Sequence, residues 1–143
     1  MKCIFNLLLS FSIIIFNINY YHAQSWEPKG QTNHIIKHSY YTLSYSEKHK
    51  QAEWVQYRLK PHLFNSTISR ADNFRKDPLV KNNSAQLKDY KGSGYDRGHL
   101  APAGDMKYNT ESMSESFYLS NISPQKPSFT RQIWRMIEKK FRD

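Results

Sequence analysis

Residues 95–106 read Tyr-Asp-Arg-Gly-His-Leu-Ala-Pro-Ala-Gly-Asp-Met, and both the fold and the chemistry turn on this stretch. Tyr95 to Leu100 reads as a short strand, broken by Ala101-Pro102-Ala103-Gly104. Within it, Asp96-Arg97-Gly98-His99 supplies a carboxylate, a guanidinium and an imidazole. Alternate residues of a strand share a face, so Arg97 and His99 point the same way. A guanidinium matches the paired oxygens of a phosphodiester. An imidazole titrates near neutral pH and can take a proton from water. Gly98 lets a backbone or a ligand come close. On these residues alone two readings stay open: a phosphate-handling site, or a chance Arg-Gly-His run on a surface strand.

Upstream, Tyr40 to Tyr45 alternates with Tyr41, Leu43 and Tyr45 on one face, which predicts a strand. Ala52 to Leu59 predicts a second, joined to the first as an antiparallel hairpin. Ser25 to Lys37 reads as an irregular lead-in. Pro61 to Asn83 reads as a basic loop, with Arg70, Arg75, Lys76 and Lys81 and a turn at Asp77-Pro78. A Gly-Ser-Gly hinge precedes the central strand. Downstream, Thr110 to Phe117 reads as a short helix with Met113 and Phe117 four apart. Tyr118 to Pro124 reads as an extended link. Ser128 can cap a final helix, whose apolar face is Phe129, Ile133, Trp134, Met136, Ile137 and Phe141. Trp134, Ile137 and Phe141 are expected in the core. Hairpin, loop, strand, crossover and helix together predict an α+β fold with an antiparallel sheet.

The 143 residues fit one domain after a leader. Lys2 and the Leu-, Ile- and Phe-rich run from Cys3 to Ile18 have the pattern of a secretory signal peptide. The run is short for a membrane span, which takes roughly 20 apolar residues. Cleavage after Gln24 divides the chain into a signal peptide, 1–24, and a domain, 25–143. The expected location is then outside the cytoplasm, periplasmic or extracellular, with no stable membrane association after cleavage. The single cysteine, Cys3, lies in the leader, so the domain has no disulfide and no thiolate nucleophile. Lys and Arg number 21 against 12 Asp and Glu, a net charge of +9. Such an excess favours polyanions: nucleic acid first, anionic lipid or cell-wall polymer as rivals. His34, His38, His49 and His62 have no metal-ligand spacing and read as surface or loop histidines. Asp77 and Asp105 read as turn residues. Asp96 is expected to orient a neighbour or pair with a nearby cation. Lys76, Lys81, Lys88 and Lys91 read equally well as a path for nucleic acid or as solvated loop lysines.

Taken together, YDRGHLAPAGDM, SFYLSNISPQKPSF and IWRMIEKK resemble the core of the DNA/RNA non-specific endonucleases, the ββα-metal (His-Me finger) nucleases that include mitochondrial endonuclease G. EWVQYRL and ISRADNFRKDP are similar too, so the resemblance runs over residues 38–143. It implies a metal-dependent hydrolase cutting phosphodiesters in DNA and RNA, with Mg2+ or another divalent cation such as Mn2+ as cofactor. His99 matches the general base. Arg97 and Arg70 match arginines that bear on the phosphate. Asn121 matches a structural or active-site asparagine near that histidine. Glu138 matches a helix glutamate that fixes metal-bound water, a plain solvated helix residue being its other reading.

Two departures qualify the resemblance. The family's metal-holding asparagine falls at Thr130, whose hydroxyl is a shorter and weaker donor than an amide oxygen. Thr130 and Glu138 remain about 80° apart around a helix. Asn121 or Gln132 is the substitute ligand if Thr130 does not serve. The chain also stops at Asp143, directly after the helix, where family domains continue, so a C-terminally shortened core is expected. The alternative to an active nuclease is a catalytically weakened or inactive remnant that binds nucleic acid. A third reading is a basic protein of the cell surface or envelope.

Overall fold

A computed structural model describes residues 28, 34–60 and 66–142, with the side chains of residues 141 and 142 left out. The proposed signal peptide, His62 and the side chain of Phe141 lie outside the described residues. Three strands form the first sheet in the order β1 (Ile35–Lys37), β2 (Tyr41–Ser46), β3 (Gln51–Tyr57). All pairings are antiparallel, and β2 and β3 are the expected hairpin. Strand β1 replaces the end of the expected lead-in: Ile36 pairs with Leu43 and is buried. Tyr41, Leu43 and Tyr45 of central β2 are all buried, as their alternation predicts, in a core with Ile36, Val80, Ala101 and Met106.

A second sheet pairs β4 (Asp96–His99) with β5 (Ile122–Gln125), antiparallel, with His99 opposite Ile122 and Arg97 opposite Pro124. The expected extended link is therefore a strand preceded by a 3-10 turn, Leu119–Asn121. Pro124 is tolerated because a two-stranded ribbon has only edge strands. Between β4 and β5 lies α2 (Thr110–Glu115), capped by Asn109, whose side chain accepts from the Ser112 N–H at 2.7 Å. Met113 and Phe117 pack with Ala103, while Phe74 joins this cluster to that of Ala85, Leu119 and Ile122. The short helix α1 (Leu87–Tyr90) precedes the loop that enters β4.

Two expectations are qualified here. Asp77 is the turn residue expected, its carbonyl accepting from the Val80 N–H at 3.2 Å and its Oδ1 from the Leu79 N–H at 2.8 Å, and His38 lies in the loop between β1 and β2. Neither side chain is at the surface, however: both are buried, with His38 Nε2 2.9 Å from Asp77 Oδ2. Ser120 Oγ donates to the same carboxylate oxygen. The rings of Tyr41 and Tyr118 lie 4.6 and 5.1 Å from the His38 ring. Buried charge is tolerated where it is paired and hydrogen-bonded in this way.

The second correction concerns the end of the chain. Phe129–Trp134 winds as a π-helix and continues as α3 (Arg135–Arg142). Trp134 is half-buried, with its ring 5.6 Å from Phe129. Ile133 and Met136 are 55% and 71% exposed, and Ile137 is exposed rather than core. Helical periodicity collects apolar side chains on one side; it does not supply the element that covers them.

Candidate active site

Strand β4 positions the site. Gly98 faces the Gln125 side chain so closely that a Cβ at position 98 would lie 2.0 Å from the Gln125 Cδ. The close approach left open by the sequence is thus made by a side chain of the partner strand. His99, one residue on, is 8% exposed, and its Nε2 is shut from solvent without a hydrogen-bond partner among the described residues. Two phenylalanines hold its ring: Phe117 edge-on at 4.7 Å and Phe74 tilted at 5.6 Å. Each phenylalanine also carries an arginine. The Arg70 guanidinium lies 4.8 Å from the Phe117 centroid and that of Arg97 4.1 Å from Phe74. Cation–π contacts of this kind hold a guanidinium in place while leaving its N–H groups available. Burial first, and then the Arg70 and Arg97 charges, push the His99 pKa down to about 3. The imidazole is therefore neutral at physiological pH and able to accept a proton.

Arg70 and Arg97 open onto a cleft of about 810 Å³ shared with Asp72, Tyr95, Thr130 and Arg131. The two carboxylates that line it among the described residues are both paired. Asp72 meets Arg70 at 2.6 Å. Asp96 accepts a two-pronged fork from Arg131, 2.8 Å to Nε and 2.9 Å to Nη2. The fork holds the Asp96 carboxyl below the usual carboxylate range. The expectation that Asp96 pairs with a nearby cation is met, and the cation comes from the terminal helix. Lys88 and Lys91 also line the cleft, whereas Lys76 and Lys81 are not among its lining residues. Arg75 is spent internally, donating to the Ser114 carbonyl at 2.8 Å and stacking 4.1 Å from Tyr118.

The structure gathers Arg70, Arg97 and His99, and it sets Thr130 on the same cleft. It does not bring Asn121 or Glu138 there. Asn121 is fully buried and its amide is committed to the backbone. Its oxygen accepts from the Ala101 N–H at 2.8 Å, and its nitrogen donates to the Ala101 and Ser116 carbonyls at 3.0 and 2.9 Å. Such an amide braces the turn after His99, and full burial keeps its oxygen away from the cleft. Glu138 sits half-buried on α3 and is not among the cleft residues. Thr130 Oγ1 lies 3.1 Å from Gln125 Oε1 and 3.3 Å from the Lys126 carbonyl. No cluster of three or more His, Cys, Asp or Glu side chains suited to a metal occurs among the described residues. Among the described residues the cleft offers the neutral Thr130 hydroxyl and two carboxylates, Asp72 and Asp96, that are already paired with arginines. Phe74, Phe117, Asp72, Gln125 and Arg131 were missed by sequence reasoning. Phe74 alone left a trace, as a lone aromatic between charged residues in Asp72-Asn73-Phe74-Arg75.

A family model described as DNA/RNA non-specific endonuclease matches residues 23–143. The chain belongs to that family. It is 38% identical over 101 residues to the human protein "Endonuclease G, mitochondrial", a match covering 69% of this chain and 34% of the relative. It is 41% identical over 108 residues to "Nuclease EXOG, mitochondrial" of Xenopus laevis, covering 72% and 29%. A nuclease of Nostoc sp. is 34% identical over 108 residues, covering 74% and 39%. Among solved structures, one of the EndoG/EndoGI complex matches with a TM-score of 0.73 and 35% identity, over 79% of this chain and 48% of that one. The matched part is thus less than half the length of these relatives. The shared α+β architecture with antiparallel sheets agrees with the sequence expectation, and the family is one of metal-dependent nucleases.

Proposed function

We propose that this chain hydrolyses phosphodiester bonds within DNA and RNA, with His99 as the general base. One observation carries the proposal: Phe74 and Phe117 each touch the His99 ring and an arginine, so Arg97 and Arg70 flank a neutral imidazole beside a cationic cleft. A phosphodiester held by the two guanidinium groups would present its phosphorus to water next to His99. The phosphate would offset the arginine charges that hold the imidazole pKa down. The base would therefore strengthen as substrate binds, moving towards the range in which proton transfer is efficient. Gripping the backbone rather than base edges gives weak sequence preference.

The ion in this proposal is Mg2+, with Mn2+ as a substitute. Mg2+ keeps most of its waters, so the Thr130 hydroxyl could be its one protein ligand. When bound, it would supply positive charge to the leaving oxygen. Export to the periplasm or the medium, with the leader removed, is part of the same proposal and rests on residues 1–24.

Thr130 favours a second reading, a remnant that binds nucleic acid without cutting it. Plasmid nicking across a Mg2+ titration separates the two. The nuclease reading expects the natural chain to cut, and Thr130→Asn to reach half-maximal rate at a lower Mg2+ concentration. A natural chain inert at every Mg2+ and Mn2+ concentration, beside an active Thr130→Asn, establishes the remnant.

A further inference from the structure

Among the described residues three aromatic rings line the cleft, and two of them are occupied. Phe74 packs against His99, Phe117 and Arg97. Tyr90 donates its hydroxyl to the Ile122 carbonyl at 2.9 Å and sits against the Ala85 cluster. Tyr95 is different: it is 47% exposed, and its ring makes no hydrogen bond, ring contact or cation contact among the described residues. Its backbone, by contrast, is fixed. Gly92 and Gly94 take φ of +71° and +79°, which other residues rarely adopt. Ser93 Oγ donates to the Tyr90 carbonyl at 2.8 Å and lies 3.2 Å from the Tyr95 N–H. A tied loop thus delivers an unoccupied aromatic ring into β4, directly before Asp96 and two residues before Arg97. Along extended chain, residues 95 and 97 share a side. Lys88 and Lys91 line the same cleft and add positive charge to that of the two arginines.

A rigid aromatic face beside a line of cations is how proteins grip single-stranded nucleic acid: cations follow the backbone and bases stack on the ring. In a duplex the bases are already stacked and their faces are closed to the ring. We propose that Tyr95 stacks on the nucleobase next to the phosphate held by Arg97, so that this cleft prefers single strands. The inference rests on the nuclease reading of the cleft and names the form of its substrate.

The test measures binding by fluorescence anisotropy in a His99→Ala background, so that nothing is cut. The probes are a labelled oligothymidylate, an abasic strand of the same length, and a duplex. Tyr95→Ala is expected to weaken binding of the oligothymidylate by about 5- to 150-fold, the range for loss of one base stack. Tyr95→Phe should keep the affinity, and the abasic strand should not notice either change. Tyr95→Ala binding as tightly as its parent overturns the proposal. So does an equal loss on the abasic strand, which would make Tyr95 a structural or backbone contact. Parent affinity that is tight and falls steeply with salt, yet is indifferent to Tyr95, removes the stack and leaves the nuclease reading standing. A parent that binds none of the three probes removes both.

Discussion

Arg131 grips Asp96 with two nitrogens, at 2.8 and 2.9 Å, and so ties the terminal helix to the strand that carries His99. Arg131 is largely exposed and Asp96 partly so, and a pair open to solvent adds little to global stability. Its effect is on orientation, since Thr130 is the neighbour of Arg131 on the same turn. Asp96→Asn removes the charge and weakens both prongs. Amide exchange across residues 129–134 is expected to quicken in Asp96→Asn while that of β2 stays as in the parent. Unchanged exchange across 129–134 would show that the helix is held by other contacts.

Gly98 admits the Gln125 carboxamide, which in turn reaches Thr130 Oγ1 at 3.1 Å. Gly98→Ala must push that carboxamide aside. The obstructed group is the end of a flexible side chain, so the cost in stability should be about 1 kcal/mol, the low end for overpacking. The cost in activity should be larger, on the order of 10²-fold, because small displacements near reacting groups are expensive. Urea midpoints and nicking rates, measured on the same variant, check both halves. A variant that loses several times that stability and regains none in Gly98→Ala/Gln125→Ala contradicts the proposed obstruction.

The pH profile of cleavage follows from His99. Burial, then Arg70 and Arg97, hold its pKa to about 3, and the ring works as a base only when neutral. For the free protein, kcat/KM should therefore hold its value as pH falls through the ordinary histidine value of about 6.5, and decline only below it. In the complex, bound phosphate offsets the two arginines, so the acid limb of kcat should lie at higher pH than that of kcat/KM. Matching limbs near the ordinary histidine value would contradict the buried, arginine-flanked base.

Acid stability has a different origin, at Asp77. Burial raises its pKa, but the His38 and Ser120 hydrogen bonds, the His38 charge and the Leu79 N–H together take it below normal. A depressed carboxylate contributes stability above its unfolded pKa, near 3.9, and loses it as pH falls through the folded value. Asp77→Asn should cost about 3 kcal/mol at neutral pH, the scale for breaking a buried pair. It should also lose less stability than the parent as pH drops below about 4. Urea unfolding at a series of pH values tests this, and parallel curves for the two proteins would exclude Asp77 as the source.

Local patterns were legible in the sequence and tertiary company was not. The period-two alternation of Tyr41, Leu43 and Tyr45 marked the central strand, because the first sheet buries one of its faces. Strand β1 escaped notice because Ile35–Lys37 is too short to show a period. Strand β5 was hidden by Pro124, a residue that reads as a breaker and is tolerated only in an edge strand. Arg97 and His99 were visible because they lie in one strand, and Arg70 and Thr130 through the family pattern. The phenylalanine cradle was invisible, since Phe74 and Phe117 meet His99 only once the loop and α2 have packed. The motif leaves Asn121 a structural or an active-site role, and only the packed structure shows its buried amide bound to the backbone of residues 101 and 116. Periodicity places Trp134 and Ile137 in the core, yet Trp134 is half-buried and Ile137 exposed, because burial depends on what stands opposite the helix.

The central claim is that His99 takes the proton from the attacking water, and single-turnover nicking of supercoiled plasmid with saturating Mg2+ tests it most directly. His99→Ala, shown by thermal melting to be folded, should cut about 10²- to 10⁴-fold more slowly than the parent while binding DNA as tightly. A folded His99→Ala that nicks as fast as the parent contradicts the account.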